Sequence, residues 1–505
     1  MSAAHVGRHL VVCPHQLDDL CVMPPSPQLR ERMDTQLAEL RENADSFLAP
    51  RLRLSETDRV GFNDGLIIPG TRYPVGTPAE VARRAALERA PLRGIIRVAV
   101  VLVDFPDRPM ADGAADRFRD LFFSTGVLEH GSVKEYYTDV SAGLITLDGE
   151  IAGPYTLPRT LAAYAGAENG TQASEPNART MANDALSAAD PDIDLTPYDN
   201  DGNGYVDAFI VVHAGRGAEE TGAMGDIWSH KWVLPAERAA DGTRVFGYLT
   251  IPEDAKIGVC AHELGHLLFG WPDLYDTDYS SAGIGDWCLM AAGSWGLGGD
   301  RPVHPSAWCK LNQGWVDVVH QIVDGTVTVN EVKTGRAVYR LWKDGAIGTE
   351  YFLMENRQRD GYDASLPGDG LLVWHIDDAV STNRDERHYK VALVQADGRK
   401  DMEGNANQGD AADPFPGSAH NVTFTDTSGP SSKSYAGAAT SVSITEIPEA
   451  SASMTVRLGV QSAVQPPSNL DDVAEQLRKL DARVAAVEAA VSRLQGGDSE
   501  TLPMA

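Results

Sequence analysis

His262-Glu263-Leu264-Gly265-His266 sets two imidazoles four residues apart, with a carboxylate directly after the first. On a helix, positions i and i+4 share a face, so His262 and His266 can present nitrogen lone pairs to one metal ion. Zinc suits two neutral imidazoles plus an oxygen ligand, with the fourth position left to water. Glu263 stands where it can take a proton from that water, the part of a general base in metal-assisted hydrolysis. Gly270 can end the helix in a left-handed turn, and Pro272 prevents it from resuming. The chain can then fold back and offer Asp273 as third ligand, with Asp276 as the substitute. A zinc site completed by a Glu from a later helix is close to excluded, because no Glu occurs between His266 and Glu331. The bland alternative is an amphipathic core helix carrying two satisfied histidines. The apolar run 256–261 before His262 argues for a buried helix start and hence buried ligands.

A second cluster of oxygen donors occupies Asp199-Asn200-Asp201-Gly202-Asn203-Gly204-Tyr205-Val206-Asp207. Side chains of Asp199, Asp201, Asn203 and Asp207 with the Tyr205 carbonyl fit the core of a calcium loop. Ile210 stands where an EF-hand would have Glu, so the expected role is structural; an acidic Asx/Gly turn is the other reading. Residues 405–413 read equally well as a second calcium loop or as a plain polar loop. His213 and His230 have no partner at ligand spacing and read as satisfied structural histidines.

These residues need a scaffold. The β-branched run 95–103 predicts a buried strand, 116–123 a short amphipathic helix, and Ser132 with Glu135 a capping box for the next helix. A helix over 178–189 precedes a buried strand at 208–212. Strands alternating with helices before the metal helix predict an α/β catalytic domain split by a cleft. After Val316 come short strands at 326–332, 337–341, 351–355, 371–376, 391–395, 442–447 and 453–458, which predict an antiparallel β-sandwich. A linker at 461–469 leads to Leu470, Val473, Leu477, Leu480, Val484, Val487, Val491 and Leu494, a heptad pattern. Over 470–495 it predicts a coiled coil that makes a homo-oligomer, with Val at consecutive a and d sites favouring a trimer over a dimer.

The chain of 505 residues is long enough for three or four domains. Its net charge of −29 argues against nucleic acid and anionic membranes as partners. No apolar run approaches the length of a membrane span. Five cysteines, an odd and sparse set, do not form a disulfide framework. The first ten residues lack the apolar core of a signal peptide.

Several further stretches are specific in combination: Val101-Leu102-Val103-Asp104-Phe105, Ser132 to Tyr137, Ile227 to Trp232, Pro272 to Asp276, Trp287 to Trp295, Gly370 to Asp377 and Gln395 to Gly398. Through these the chain, from about Ile95 to about Val460, resembles the immune inhibitor A-like secreted metallopeptidases. The resemblance implies zinc on His262, His266 and Asp273, Glu263 as base, and Met290 beneath the metal in the Met-turn of a metzincin-like fold. It also makes residues 1–93 a pro-segment, in which Cys21 can reach the zinc as a thiolate; an ordinary free cysteine is the other reading. The catalytic domain then spans 94–316 and the β-sandwich domain 317–460.

The expectation is a zinc endopeptidase of protein or peptide substrates, stabilised by calcium. Its alternative is an oligomeric surface-binding protein on a peptidase fold, with catalysis incidental or lost. The resemblance implies an extracellular location. The missing signal peptide leaves non-classical or machine-mediated export, or an intracellular enzyme, open.

Overall fold

β1 (Gly94–Asp104) is buried along most of its length because it lies inside a sheet covered on both faces. The computed structural model describes residues 23–42, 65–73 and 89–461; Cys21 and the heptad segment 470–495 lie outside them.

In chain order, α1 (Pro27–Glu42) precedes β1, and α2 (Ala114–Phe123) and α3 (Val133–Val140) follow it. Ser132 and Glu135 close a reciprocal capping box at the start of α3, as their spacing predicts. Next come β2 (Ile145–Thr156), α4 (Leu161–Ala165), α5 (Ala178–Ala189), β3 (Phe209–His213) and α6 (Ala218–Thr221). A hairpin of β4 (His230–Ala240) and β5 (Thr243–Pro252) leads into α7 (Ile257–Phe269), the helix that carries His262 and His266.

The sheet order is β2-β1-β3-β5-β4, parallel except for β4, which runs antiparallel to β5 along one edge. Sequence patterning missed β2 and this hairpin. β2 is mostly half-exposed, and the hairpin carries charged residues, including a fully buried Lys231, that break the apolar signal. α7 packs on β5 and β4, so the histidines sit beside the sheet's edge strand.

The C-terminal half contains α8 (Ala307–Asn312), β6 (Asp317–Gln321), β7 (Gly325–Asn330), α9 (Val332–Gly335), β8 (Ala337–Trp342), β9 (Glu350–Arg357), β10 (Gly370–Asp377), β11 (Val391–Leu393), β12 (Ser443–Thr445) and β13 (Ser453–Gly459). One sheet runs β11-β10-β9-β8-β6 and a second β12-β13-β7. All these pairings are antiparallel apart from β6 with β8, so the expected all-antiparallel arrangement is wrong at that edge. β6 is largely exposed, which hid it from the hydrophobic pattern.

Successive residues of a strand face opposite ways. On β9 and β10, Leu353, Leu372, Trp374 and Ile376 join the core of the N-terminal half. Phe352, Met354, Leu371 and Val373 instead join Val329, Ile444, Met454 and Val456 in a cluster shared with the three-stranded sheet. Both faces of the larger sheet are therefore covered, and the described residues up to Val460 form one compact unit.

Buried charges lock this junction. Lys310 of α8 lies 2.9 Å from Glu355 Oε2, and Arg357 binds Glu355 at 3.4 Å and Asp363 at 2.6 Å. Trp374 Nε1 donates to Glu355, and the His304 amide donates to Asp363. Buried charges persist only when paired and hydrogen-bonded in this way.

Candidate metal centre and cleft

α7 is buried throughout and ends where expected, at Gly270 with φ +65° and ψ 20°. The Gly270 and Trp271 amides return to the carbonyls of His266 and Gly265, closing a glycine C-cap. That turn reverses the chain and brings Asp273 back beneath the helix face bearing the histidines.

Three atoms converge there. His262 Nε2 lies 3.1 Å from His266 Nε2, and each lies 3.2 Å from Asp273 Oδ1. His262 Nδ1 is 2.9 Å from the Leu289 carbonyl and His266 Nδ1 is 2.5 Å from the Trp271 carbonyl. A carbonyl only accepts, so both Nδ1 atoms carry the proton, and in the neutral rings both Nε2 lone pairs face the carboxylate. Such a cluster of lone pairs is repulsive until a cation enters it. Tetrahedral zinc with ligands at about 2.0–2.1 Å would hold them about 3.3 Å apart, close to the spacing here. Asp273 Oδ2 is buried without a partner. The residues present therefore fit zinc, with backbone carbonyls orienting both imidazoles from behind.

Electrostatics follow the geometry. Burial would raise the Asp273 carboxyl, but His266 and His262 more than offset it and hold it well below the usual range. Burial lowers the His266 imidazole against the pull of Asp273. Glu263 is fully buried with neither carboxylate oxygen hydrogen-bonded. Burial, then the Asp273 and Glu219 carboxylates, push its pKa well above 4.5; the Lys231 backbone is near enough to oppose this, though outside hydrogen-bonding geometry.

Asp276 is not in this cluster. Its Oδ2 accepts from the Ser280 and Ser281 hydroxyls and the Ser281 amide, while Oδ1 accepts from the Asp278 amide. Its carboxylate is thus consumed by its own turn. Met290 is fully buried, and its sulfur faces Gly265 on α7, where an added Cβ would come within 2.6 Å of it. The residue before His266 has to be glycine for this contact.

The 199–207 loop gathers the carboxylates of Asp199, Asp201 and Asp207 into a second cluster that could hold a cation. Asp199 also accepts from the Asn203 and Gly204 amides, Asp201 from Asn203, and Asn203 Oδ1 from Tyr205. Asp207 is buried between the Asn200 amide, at 2.6 Å, and Arg89, at 3.3 Å. Burial pushes its pKa up to about 6, with Arg89 opposing and Asp201 reinforcing the shift. Tyr205 directs its hydroxyl away, to Glu237.

Residues 405–413 form Asx-type turns closed by Asn407, Asp410 and Asp413, and among the described residues they make no third cluster. His230 is satisfied by the Trp228 carbonyl and the Tyr248 hydroxyl, and His213 by the Ala214 carbonyl on one nitrogen.

Sequence reasoning missed how residues 23–26 are held. Met23 to Ser26 are buried. The Met23 amide donates to the Ser229 carbonyl just before β4, and the Met23 carbonyl accepts from Trp228 Nε1 at 2.6 Å. The Pro24 carbonyl accepts from Trp295 Nε1 at 2.9 Å. The Ser26 amide reaches the Glu219 carbonyl. Buried indole N–H groups need acceptors, and here both find them in the segment 23–26. Only the tryptophan-bearing stretch around 227–232 hinted at this in the sequence.

Residues 96–319 match the model of the immune inhibitor A peptidase M6 catalytic domain. The pre-pro-metalloprotease PrtV of Vibrio cholerae serotype O1 is 33% identical over 268 residues, covering 42% of this chain and 29% of that protein. Immune inhibitor A of Bacillus thuringiensis subsp. alesti is 38% identical over 237 residues, covering 38% of this chain and 34% of that protein. The chain thus spans about a third of the length of these curated relatives. Residues 96–319, which hold His262, Glu263 and His266 on one buried helix, are thus similar to the catalytic domain of the immune inhibitor A peptidase M6 family.

Proposed function

We propose that this chain is a zinc-dependent endopeptidase acting on protein or peptide substrates. The observation that carries the reading is the meeting of His262 Nε2, His266 Nε2 and Asp273 Oδ1 within 3.2 Å, with both Nδ1 atoms tied to carbonyls. When bound there, zinc supplies Lewis acidity at the scissile carbonyl. Glu263, with neither oxygen engaged, takes the proton of the attacking water and returns it to the leaving amine. The edge strand β4 and the residue before it supply backbone groups to which an extended peptide can pair, as Met23 does with Ser229 just ahead of β4.

Residues 1–93 act as a latency segment in this reading. Its support is the Met23–Ser26 strand between Trp228 and Trp295, where a substrate would otherwise lie. The buried Lys231 ammonium adds a tie to the Leu66 carbonyl. The Asp199, Asp201 and Asp207 cluster is read as a structural calcium site. Residues 317–460 are read as a sandwich domain, supported by the apolar cluster between its two sheets. The heptads at 470–495 make the chain a homo-oligomer, a trimer before a dimer, and the enzyme works outside the cell.

Zymography on casein or gelatin tests the central claim, with chelator and with zinc restored. Lysis that is lost to chelator and regained with zinc is the expected result. No lysis by metal-replete protein freed of residues 1–93 leaves the surface-binding alternative. Light scattering of the full chain against one ending near Val460 tests the oligomer.

A further inference from the structure

Of the described cysteines, all fully buried, two meet behind the Met290 turn. Cys288 precedes Met290 by two residues, and Cys309 lies on α8. Ser306, the N-cap of α8, touches both sulfurs: its amide donates to Cys288 Sγ at 3.2 Å and its hydroxyl to Cys309 Sγ at 3.4 Å. The Cys309 thiol hydrogen-bonds to Cys288, so the two sulfurs are in contact. The Met290 amide donates to Cys288 Sγ as well, at 3.3 Å.

This environment treats the two thiols differently. Burial alone would raise Cys288, but the Cys309 thiol and the Met290 and Ser306 amides hold it below its ordinary value. Burial and its negative neighbour push Cys309 well up. Two backbone amides donating to Cys288 Sγ favour its thiolate form when it ionises, and Ser306 holds the Cys309 sulfur beside it, the arrangement thiol–disulfide exchange needs.

We propose that Cys288 and Cys309 form a disulfide that staples the Met290 turn to the start of α8. The oxidant is a small-molecule disulfide such as glutathione disulfide. Cys288 sulfur attacks it, breaking its S–S bond and expelling one thiolate. Cys309, losing its proton, then attacks the Cys288 sulfur of the mixed disulfide and expels the second. Two hydrogens leave the protein, and the oxidant becomes two thiols. Because both sulfurs are buried, the exchange happens during folding or local opening, and the finished bond is shielded from reductant. Its position matters to the site. Leu289, next to Cys288, provides the carbonyl that orients His262.

Peptide mapping of the full-length protein tests this, independently of whether the chain cleaves anything. Protein equilibrated with glutathione disulfide is unfolded in the presence of N-ethylmaleimide and digested. The expected result is an unlabelled, cross-linked pair of peptides carrying Cys288 and Cys309, with Cys260 labelled. Recovery of Cys288 and Cys309 both labelled overturns the proposal. Melting curves give a second readout: reduction should lower the wild-type Tm and leave that of the C288S/C309S variant unchanged. A wild-type Tm that does not move when mapping shows the pair reduced also overturns the staple.

Discussion

Met290 Sδ and Gly265 are in contact: a methyl group at residue 265 would lie 2.6 Å from that sulfur and 3.1 Å from the Trp271 ring. Gly265→Ala should therefore push the Met290 turn away from α7. Overpacking of this kind costs about 1–3 kcal/mol. The variant is expected to melt lower and to retain less zinc after dialysis, because Leu289 and Trp271, which orient the histidines, flank the displaced groups. Wild-type zinc content together with wild-type Tm would show that the turn yields freely.

Glu263→Gln keeps the shape of the side chain and removes the base. Hydrolysis should fall by about 10²–10⁴-fold while zinc stays bound. Activity and metal content measured on the same sample decide it, and near wild-type turnover with full zinc would take Glu263 out of the mechanism.

Trp295→Phe keeps an aromatic ring but deletes the N–H that holds the Pro24 carbonyl. A net hydrogen bond is worth about 0.5–1.5 kcal/mol, so cleavage of a small peptide by the full chain should rise by roughly 2- to 10-fold. An unchanged rate would mean that the Met23–Ser26 strand does not limit access to the cleft.

Calcium should raise the melting temperature. With three carboxylates converging on one point, saturating ion at about 100 times its Kd would add about 2.7 kcal/mol. Asp201→Asn should weaken the response, since its carboxylate is the exposed member of the cluster. Melts in calcium and in a calcium-selective chelator, with zinc content checked alongside, provide the measurement. Equal melting temperatures would reduce 199–207 to a turn.

Acid should act on the buried network between the two halves. Burial alone would raise Asp363 and Glu355, but Arg357 beside the first and Lys310 beside the second hold both below the usual carboxylate range. A depressed folded pKa stabilises at pH values above the unfolded value, about 4 for a carboxylate, and that contribution disappears as pH falls through the folded values. Arg357→Met strands buried carboxylate charge and should cost about 3–5 kcal/mol near neutrality. Denaturant melts should show the gap between variant and wild type closing in strong acid. A gap independent of pH would contradict the assignment.

Local chemistry made α7 and its ending readable. A helix period, a glycine able to take φ +65° and a proline two residues later suffice to predict a turn that returns Asp273. The capping box at Ser132 was equally local. What escaped depends on distant partners. Lys231 is buried because the Leu66 carbonyl receives its ammonium, and nothing in residues 230–240 announces that. Met23 finds Trp228 some two hundred positions away. Cys288 and Cys309 looked like two of five unpaired cysteines, and only the fold brings them to one serine. β6 stayed invisible because an exposed edge strand needs no apolar alternation.

The family match ends at residue 319, yet the segment from Asp273 to Met290 leans on residues beyond it. Asn383 donates to the Leu274 carbonyl, Tyr389 to Ser281, and the Asp413 carboxylate accepts from Trp287. The Met402 and Gln408 carbonyls accept from the Ala282 and Asp286 amides. The stretch that carries the His262–His266–Asp273 cluster is thus not the stretch that keeps it in shape. A chain cut to the matched region would keep His262, His266 and Asp273 in its sequence but lose the mould against which the loop after Asp273 is cast. Moving the His262–Asp273 site onto another scaffold has to carry residues 383–413 along as part of the tool.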